Sequence, residues 1–222
     1  MIGPRASCPG GRVGVTEIAD KARITTATLS YVLKSLDTVG IISKITPMTV
    51  KENNRRSVYE VTDSMYRFWY SFIPVARSAI EMNRGEIFYK NYVKEKLHSF
   101  MGKVFEAMCR YYTLSQGLDG KLNCLVTNVG SWWGPGHDHI PTDIDVVGID
   151  DANKKAVLGE CKFKNEVIDK EVYEALMDRS GLIDKRYEEV EFLLFSLTGF
   201  SKWVKENART DRIRLVTLEE LY

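Results

Sequence analysis

The sequence predicts an α/β chain of the α+β kind, a small helix-and-hairpin module followed by a larger sheet faced by helices. Three observations carry this. Before residue 62, two helical patterns precede two short β-branched runs. After residue 120, strand-length apolar runs recur between amphipathic segments, as a sheet with packed helices requires. The 222 residues are 44% hydrophobic and 27% charged, ordinary for a chain that buries a core.

Residues 16–22 read as a short helix and residues 23–25 as a turn. A second helix then starts at a Thr cap and runs to about Val39, with Leu29, Val32, Leu33 and Leu36 as its apolar stripe. Gly40 stops it. Residues 41–45 and 57–61 are expected to be strands, joined by a polar loop that carries Arg55 and Arg56. Helix, turn, helix and basic-tipped hairpin is the order of a winged helix-turn-helix, assigned to residues 1–62. In that geometry Thr26, Thr28, Ser30, Tyr31 and Lys34 face outward, and Arg55 and Arg56 reach phosphates. Residues 1–75 hold ten Lys and Arg against six Asp and Glu, a +4 excess within a net charge of +1. That balance is compatible with nucleic acid, most simply DNA. Such modules also serve as protein-interaction units.

Residues 63–84 read as an aromatic helical connector (Tyr66, Phe68, Trp69, Tyr70, Phe72) interrupted at Pro74. The second domain, residues 85–222, opens with a helix from about Tyr89 to Tyr112, with Val104, Phe105, Met108, Tyr111 and Tyr112 buried and Glu106 beside them. Residues 122–129 are expected to be a strand and residues 130–139 a Gly- and Pro-rich loop or hairpin end. Its two histidines, His137 and His139, lack a third and fourth partner at zinc spacing.

Residues 141–165 are the chemically distinctive stretch, two strands about a turn at Ala152 and Asn153. A symmetric hairpin pairs positions whose numbers add to 305, which sets Asp145 opposite Glu160 and Asp143 opposite Lys162. Glu160 and Lys162 share one face with Asp145, and Cys161 and Phe163 take the other. Facing carboxylates roughly 5 Å apart ask for a cation or a proton between them. A hard divalent ion, Mg²⁺ or Mn²⁺, meets that need. The same residues also read as plain strand-end ion pairs, Asp143 with Lys162 and Glu160 with Lys164 or a neighbour. A helix over residues 166–180, a strand over 190–195, a helix over 201–208 and a strand over 213–217 complete an α-β-β-β-α-β core extended by a last helix and strand.

Helical Glu106, Asp145 on an apolar strand and Glu160-Cys161-Lys162 on the next, in this order, resemble the PD-(D/E)XK nuclease superfamily, with its restriction-endonuclease-like core. Residues 59–70 (YEVTDSMYRFWY), Trp132-Trp133-Gly134, residues 143–147 and Gly159-Glu160-Cys161-Lys162 together resemble the C-terminal region of archaeal and bacterial P-loop ATPases. That region carries a domain of unknown function, and the likeness runs from about Thr16 to Leu221. It implies an Mg²⁺-dependent nuclease. Asp145, Glu160 and the Cys161 carbonyl hold the metal. Lys162 orients or deprotonates the water or stabilises charge on the phosphate, and Glu106 assists through a metal-bound water. Asp143 is the rival for the place of Asp145.

No G-x-x-x-x-G-K-[ST] loop is present, so ATP hydrolysis is not carried over. Pro141 stands four residues before Asp145, a loose form of the name-giving Pro-Asp pair. Residues 1–14 are rich in Gly and Pro where a winged helix has its first helix, so either a fragment of a longer protein, by the resemblance an ATPase-associated one, or a mis-set start is expected. A non-catalytic DNA-binding regulator and an interaction module with a degenerate core are the competing readings, with an ATPase module or partner chain as the implied companion. No apolar run of membrane-spanning length occurs, the start lacks a signal-peptide core, and the four cysteines form no disulfide framework. These features predict a cytoplasmic location without a membrane partner.

Overall fold

A computed structural model describes residues 13–50, 57–208 and 212–222. The chain divides into two compact units, one of residues 1–46 and 51–100 and one of residues 47–50 and 101–222. The connector and the start of the long helix thus group with the N-terminal elements, whereas the sequence placed the change near Gly85.

In the first unit, α1 (Val15–Ala22) ends at Arg23, whose left-handed φ of 54° turns the chain toward α2 (Thr26–Thr38). The Thr25 side chain caps α2 by accepting from the Thr28 amide. Beyond α2, Gly40 takes a φ of +74°, where a side chain would be strained. Strands β1 (Ile42–Ile45) and β2 (Val58–Val61) pair antiparallel, with Ile42 opposite Val61. Ala19, Leu29, Leu33 and Ile42 form the core, joined by Leu36. Val32, expected in the stripe, is instead exposed, because Leu29, Leu33 and Leu36 already fill the contact.

Helix α3 (Ser64–Glu81) starts at an Asp63 cap and runs unbroken through Pro74, correcting the expected interruption. Its packing makes up for the lost amide. The rings of Phe68 and Phe72 lie 5.0 Å apart and both meet Phe100 at 5.8 Å, with the Arg67 guanidinium over the Phe100 ring. A short helix α4 (Gly85–Phe88) and a π-helical turn (Tyr89–Val93) lead into α5 (Lys94–Leu118), so the single helix expected from Tyr89 begins with an irregular turn.

The second unit is a five-stranded mixed sheet in chain order: β3 (Asn128–Pro135), β4 (Pro141–Asp150), β5 (Lys155–Lys162), β6 (Glu188–Ser196) and β7 (Ile213–Thr217). The first three are antiparallel neighbours, and β5, β6 and β7 run parallel. Parallel neighbours need a crossover, supplied by α6 (Lys170–Met177) and α7 (Lys202–Asn207). With residues 101–118 of α5, the order is helix, three strands, helix, strand, helix, strand, as the sequence predicts.

Both sheet faces are covered. Phe105 and Cys109 of α5 pack with Val146, Val157, Leu193 and Phe195 on one face. Tyr173 and Leu176 of α6 and Val204 of α7 pack with Ile144, Leu158 and Leu194 on the other. The buried line of α5 is Phe105, Cys109, Thr113 and Gly117, spaced by four, whereas Tyr111 is exposed. A Cβ on Gly117 would stand 2.4 Å from the Val126 Cβ. Gly117→Ala should therefore cost about 1–3 kcal/mol in urea unfolding through overpacking, with Leu118→Ala near neutral.

Two element boundaries differ from expectation. Residues 122–127 bury Leu122, Cys124 and Val126 as irregular chain, and the strand begins at Asn128. The Trp132-Trp133-Gly134 segment, expected in a loop or hairpin end, is strand leading into the hairpin end and pairs with β4, where Ile144, Asp143 and Thr142 stand opposite it. The helix expected over residues 166–180 covers only Lys170–Met177. Asp169 caps it, and Ile168 bridges to Phe200 as extended chain.

Candidate functional site

The hairpin of β4 and β5 has the predicted register, with Val146 opposite Gly159, Val147 opposite Leu158 and Asp150 opposite Lys155. The turn is fixed by Asp150, whose carboxylate accepts from the Asn153 amide and side chain, and by Lys154 at a φ of 54°. The ladder stops at Val146. Neither predicted acidic pairing is therefore in the ladder: Asp145 does not pair with Glu160, nor Asp143 with Lys162, and Asp143 stands exposed across from Trp133.

A β-bulge explains why the ladder stops. On the other side of β4, Gly130 pairs with Val147 and Trp132 with Ile144, so Asp145 and Val146 together oppose the single residue Ser131. The extra residue breaks the alternation: Ile144 and Val147 share one core while Val146 joins the other. Bulges re-aim side chains. Here the Asp145 carboxylate replaces a ladder acceptor, its Oδ2 taking the Cys161 amide at 2.9 Å. The Asp145 carbonyl accepts from Arg110 Nη1 of α5 at 3.0 Å.

Glu160 belongs to the same strand parity as Leu158, on the face covered by α6, and is only 3% exposed. Its Oε1 accepts from Lys162 Nζ at 2.5 Å, and its Oε2 accepts from Arg179 Nη1, just beyond α6. Both are ion pairs. Glu106, with 15% of its side chain exposed, binds Lys103 Nζ at 2.8 Å and lies 3.7 Å from Arg110 Nη1. Of the expected partners of Glu160, Lys164 or a neighbour, it is the neighbour Lys162 that pairs with it, joined by Arg179.

Electrostatics separate the three carboxylates. Among the described residues no ion pair engages Asp145. Burial, and then the neighbouring Glu160 and Glu106 carboxylates, push its carboxyl up to about 7, against the lowering effect of the Cys161 amide. For Lys162, burial pulls downward, but the adjoining Glu160 more than reverses it and leaves the amine above its ordinary value. Burial and contact with Cys109 hold the Cys161 thiol well above its usual range, so it stays protonated and can offer a cation only its carbonyl.

Asp145, Glu160, Lys162 and Glu106 are thus brought into one electrostatic neighbourhood. It lies where the C-terminal end of β5 meets the first half of antiparallel β4, at the edge where open α/β sheets bind ligands. Among the described residues, no group of three or more His, Cys, Asp and Glu side chains converges as a ready metal cage. His137 Nε2 lies 2.9 Å from the Ser180 carbonyl oxygen.

In the N-terminal unit Thr28, Tyr31 and Lys34 are exposed on α2, Tyr31 by 76%. Arg55 and Arg56 lie outside the described residues. Two residues of the site escaped the sequence reading. Arg110 was findable, one turn beyond Glu106 at ion-pair spacing. Arg179 was not, since nothing in its spacing points to Glu160.

Residues 69–175, which include Glu106, Asp145 and Glu160–Lys162, match the family model DUF234, described as archaeal and bacterial proteins of unknown function. The chain is 28% identical over 190 residues to "Uncharacterized protein MJECL04" of Methanocaldococcus jannaschii, a match covering 78% of this chain and 42% of that protein. The chain thus spans less than half the length of this relative. Among solved structures, AF1548, a protein of unknown function, aligns with a TM-score of 0.37 at 19% identity, covering 53% of this chain and 64% of that one. The MspJI restriction endonuclease in complex with a 27-mer oligonucleotide aligns with a TM-score of 0.35 at 13% identity, covering 60% of this chain and 30% of that one. No helix among the described residues is long and apolar enough to cross a membrane.

Proposed function

We propose that the chain is a metal-dependent nuclease of the PD-(D/E)XK type, its core joined to a winged helix that contacts DNA. The carrying observation is Asp145, a half-buried carboxyl set by a bulge beside Glu160 and Glu106 and engaged by no ion pair among the described residues. Two carboxylates and a backbone carbonyl form an all-oxygen donor set suited to a hard cation that keeps most of its waters. Asp145, Glu160 and the Cys161 carbonyl would hold Mg²⁺ or Mn²⁺. When bound, the ion supplies an acidified water and a polarised phosphoryl oxygen. Lys162 sets a positive charge against the negative charge that develops on the phosphate. Glu106, positioned by Lys103 and Arg110, orients a water at the α5 side of the site.

The likeness to the C-terminal part of P-loop ATPases supports an ATPase module or partner chain as the companion of this core, outside these 222 residues. A second reading, a non-catalytic DNA-binding or interaction module, is favoured by one observation: Glu160 is already bonded to two cations.

Cleavage of labelled single- and double-stranded DNA with Mg²⁺ or Mn²⁺ separates the two. The nuclease reading expects cutting by the wild type and a loss of at least about 100-fold in Asp145→Ala and Glu160→Ala. Uncut DNA with wild type, or equal cutting by all three, rejects it. Tyr31→Ala with Lys34→Ala should weaken DNA binding and lower its salt slope by about one if Lys34 meets a phosphate. An unchanged slope would take α2 off the DNA.

A further inference from the structure

A cavity of about 450 Å³ opens between the turn at residues 136–142 and the end of α6. Its volume is in the range of small-ligand sites, roughly 300–1,000 Å³. It adjoins the carboxylates on two sides. Thr142 in its wall lies on β4 three residues before Asp145, and Arg179 in its wall is the residue bonded to Glu160. We propose that this cavity is the subsite for the nucleotide unit next to the scissile phosphate, with Arg179 as its phosphate anchor. The inference rests on the nuclease reading of the adjoining carboxylates.

The chemistry of the walls selects this ligand class. Ile140, Ala175 and Leu182 offer apolar surface to a sugar and base, and Ile140 is 63% exposed despite its size. Asp138 and Asp178 stand in the same walls, with one Asp138 oxygen taken by the Ile140 amide at 2.9 Å. Two carboxylates repel a polyphosphate, so the cavity suits a unit whose single phosphate lies outside the acidic part. Arg179 is placed for that phosphate. It sits between the cavity and Glu160, and its planar fork matches a phosphate as well as a carboxylate.

Arg179 and a divalent cation compete for the same Glu160 oxygens. A cation that takes Glu160 leaves the guanidinium without its carboxylate, and the substrate phosphate is the next anion within reach. Arg179 therefore positions substrate and opposes the cation. That combination distinguishes it from a structural ion pair, whose loss would weaken both.

The test is calorimetric titration of the full chain, first with Mn²⁺ alone and then with 2′-deoxyadenosine 5′-monophosphate in saturating Mn²⁺. The variants are Arg179→Gln, Arg179→Lys and Ala175→Phe, each checked in chelator for a cooperative melting transition well above the titration temperature, because loss of the Glu160 pair lowers the midpoint without unfolding the chain. Arg179→Gln should tighten Mn²⁺ several-fold and weaken the nucleotide by about tenfold or more, as loss of a charge-assisted bond implies. Arg179→Lys should recover part of the nucleotide affinity. Ala175→Phe should weaken the nucleotide and leave Mn²⁺ unchanged, because the ring fills the cavity alone. Nucleotide affinity equal to wild type in Arg179→Gln and Ala175→Phe would overturn the subsite, as would weakened Mn²⁺ binding in Arg179→Gln. A chain that takes no Mn²⁺ yet binds the nucleotide in an Arg179- and Ala175-dependent way would sink the nuclease reading while supporting Arg179 as the phosphate anchor of a nucleotide site in this cavity.

Discussion

Asp145→Asn is expected to stabilise the protein in chelator at pH 8 while removing its response to divalent cations. The carboxylates facing Asp145 are Glu160 of β5, Glu106 of α5 and Asp143 on its own strand, and the Lys162 ammonium, held by Glu160, faces it as a partly offsetting cation. Arg110 is spent on the Asp145 carbonyl. Burial and these carboxylates hold the carboxyl up to about 7, against about 3.9 in an unfolded chain. The folded state thus keeps its proton where the unfolded state has lost it. Stability from this group is full below about pH 4, falls as pH rises toward 7, and stays low above it. The cost at pH 8 is on the order of 2–4 kcal/mol. Asn keeps an oxygen for the Cys161 amide and carries no charge. Urea unfolding in chelator should show the variant and the wild type converging near pH 4 and separating toward pH 8 by that amount. Parallel pH profiles would mean that Asp145 is not under this pressure.

Glu160→Ala is expected to have the opposite sign. Glu160 is 3% exposed and bonded to Lys162 and Arg179, so its removal leaves two partly buried cations with no carboxylate between them. Breaking a buried pair from one side typically costs about 3–5 kcal/mol. A loss of that order at pH 7, shrinking in Glu160→Ala/Arg179→Met because one stranded charge is removed, is the expected result in urea unfolding. A loss below about 1 kcal/mol would show the cluster to be loosely held. The two variants together make a signature: within one site, one carboxylate destabilises the cation-free fold and its neighbour stabilises it.

The legible parts of the chain are those fixed by short-range periodicity. The register of β4 and β5 follows from a turn at Ala152 and Asn153 and from alternation, so Val146 meets Gly159 as read. The order of elements in the sheet followed in the same way. What escaped depends on contacts distant in sequence. Trp132 and Trp133 look like loop residues beside glycines and a proline, and become strand only because residues 142–144 pair with them. Pro74 should break a helix, and aromatic packing around Phe72 and Phe100 keeps it whole. Gly117, a poor helix former, continues the buried line of α5 because Val126 leaves no room for a side chain.

For the site, facing strand positions pointed to Asp145 and Glu160, the superfamily resemblance added Lys162 and Glu106, and in the structure the charges of Glu160, Glu106 and Lys162 all act on Asp145. The bulge at Asp145 and Val146 was invisible, because it arises from one residue of mismatch between β3 and β4. That bulge settles the geometric difference between the two candidate aspartates: Asp145 is turned to the Cys161 amide, and Asp143 stands exposed. Arg179 reaches Glu160 from beyond α6, a contact that no local pattern encodes.

The most direct test of the central claim is calorimetric titration of Mn²⁺ into the full chain at pH 8, wild type beside Asp145→Asn. One saturable site is expected in the wild type, accompanied by a rise in melting temperature, and neither in the variant. A wild type that takes up no Mn²⁺, or a variant that binds it equally well, would contradict the claim.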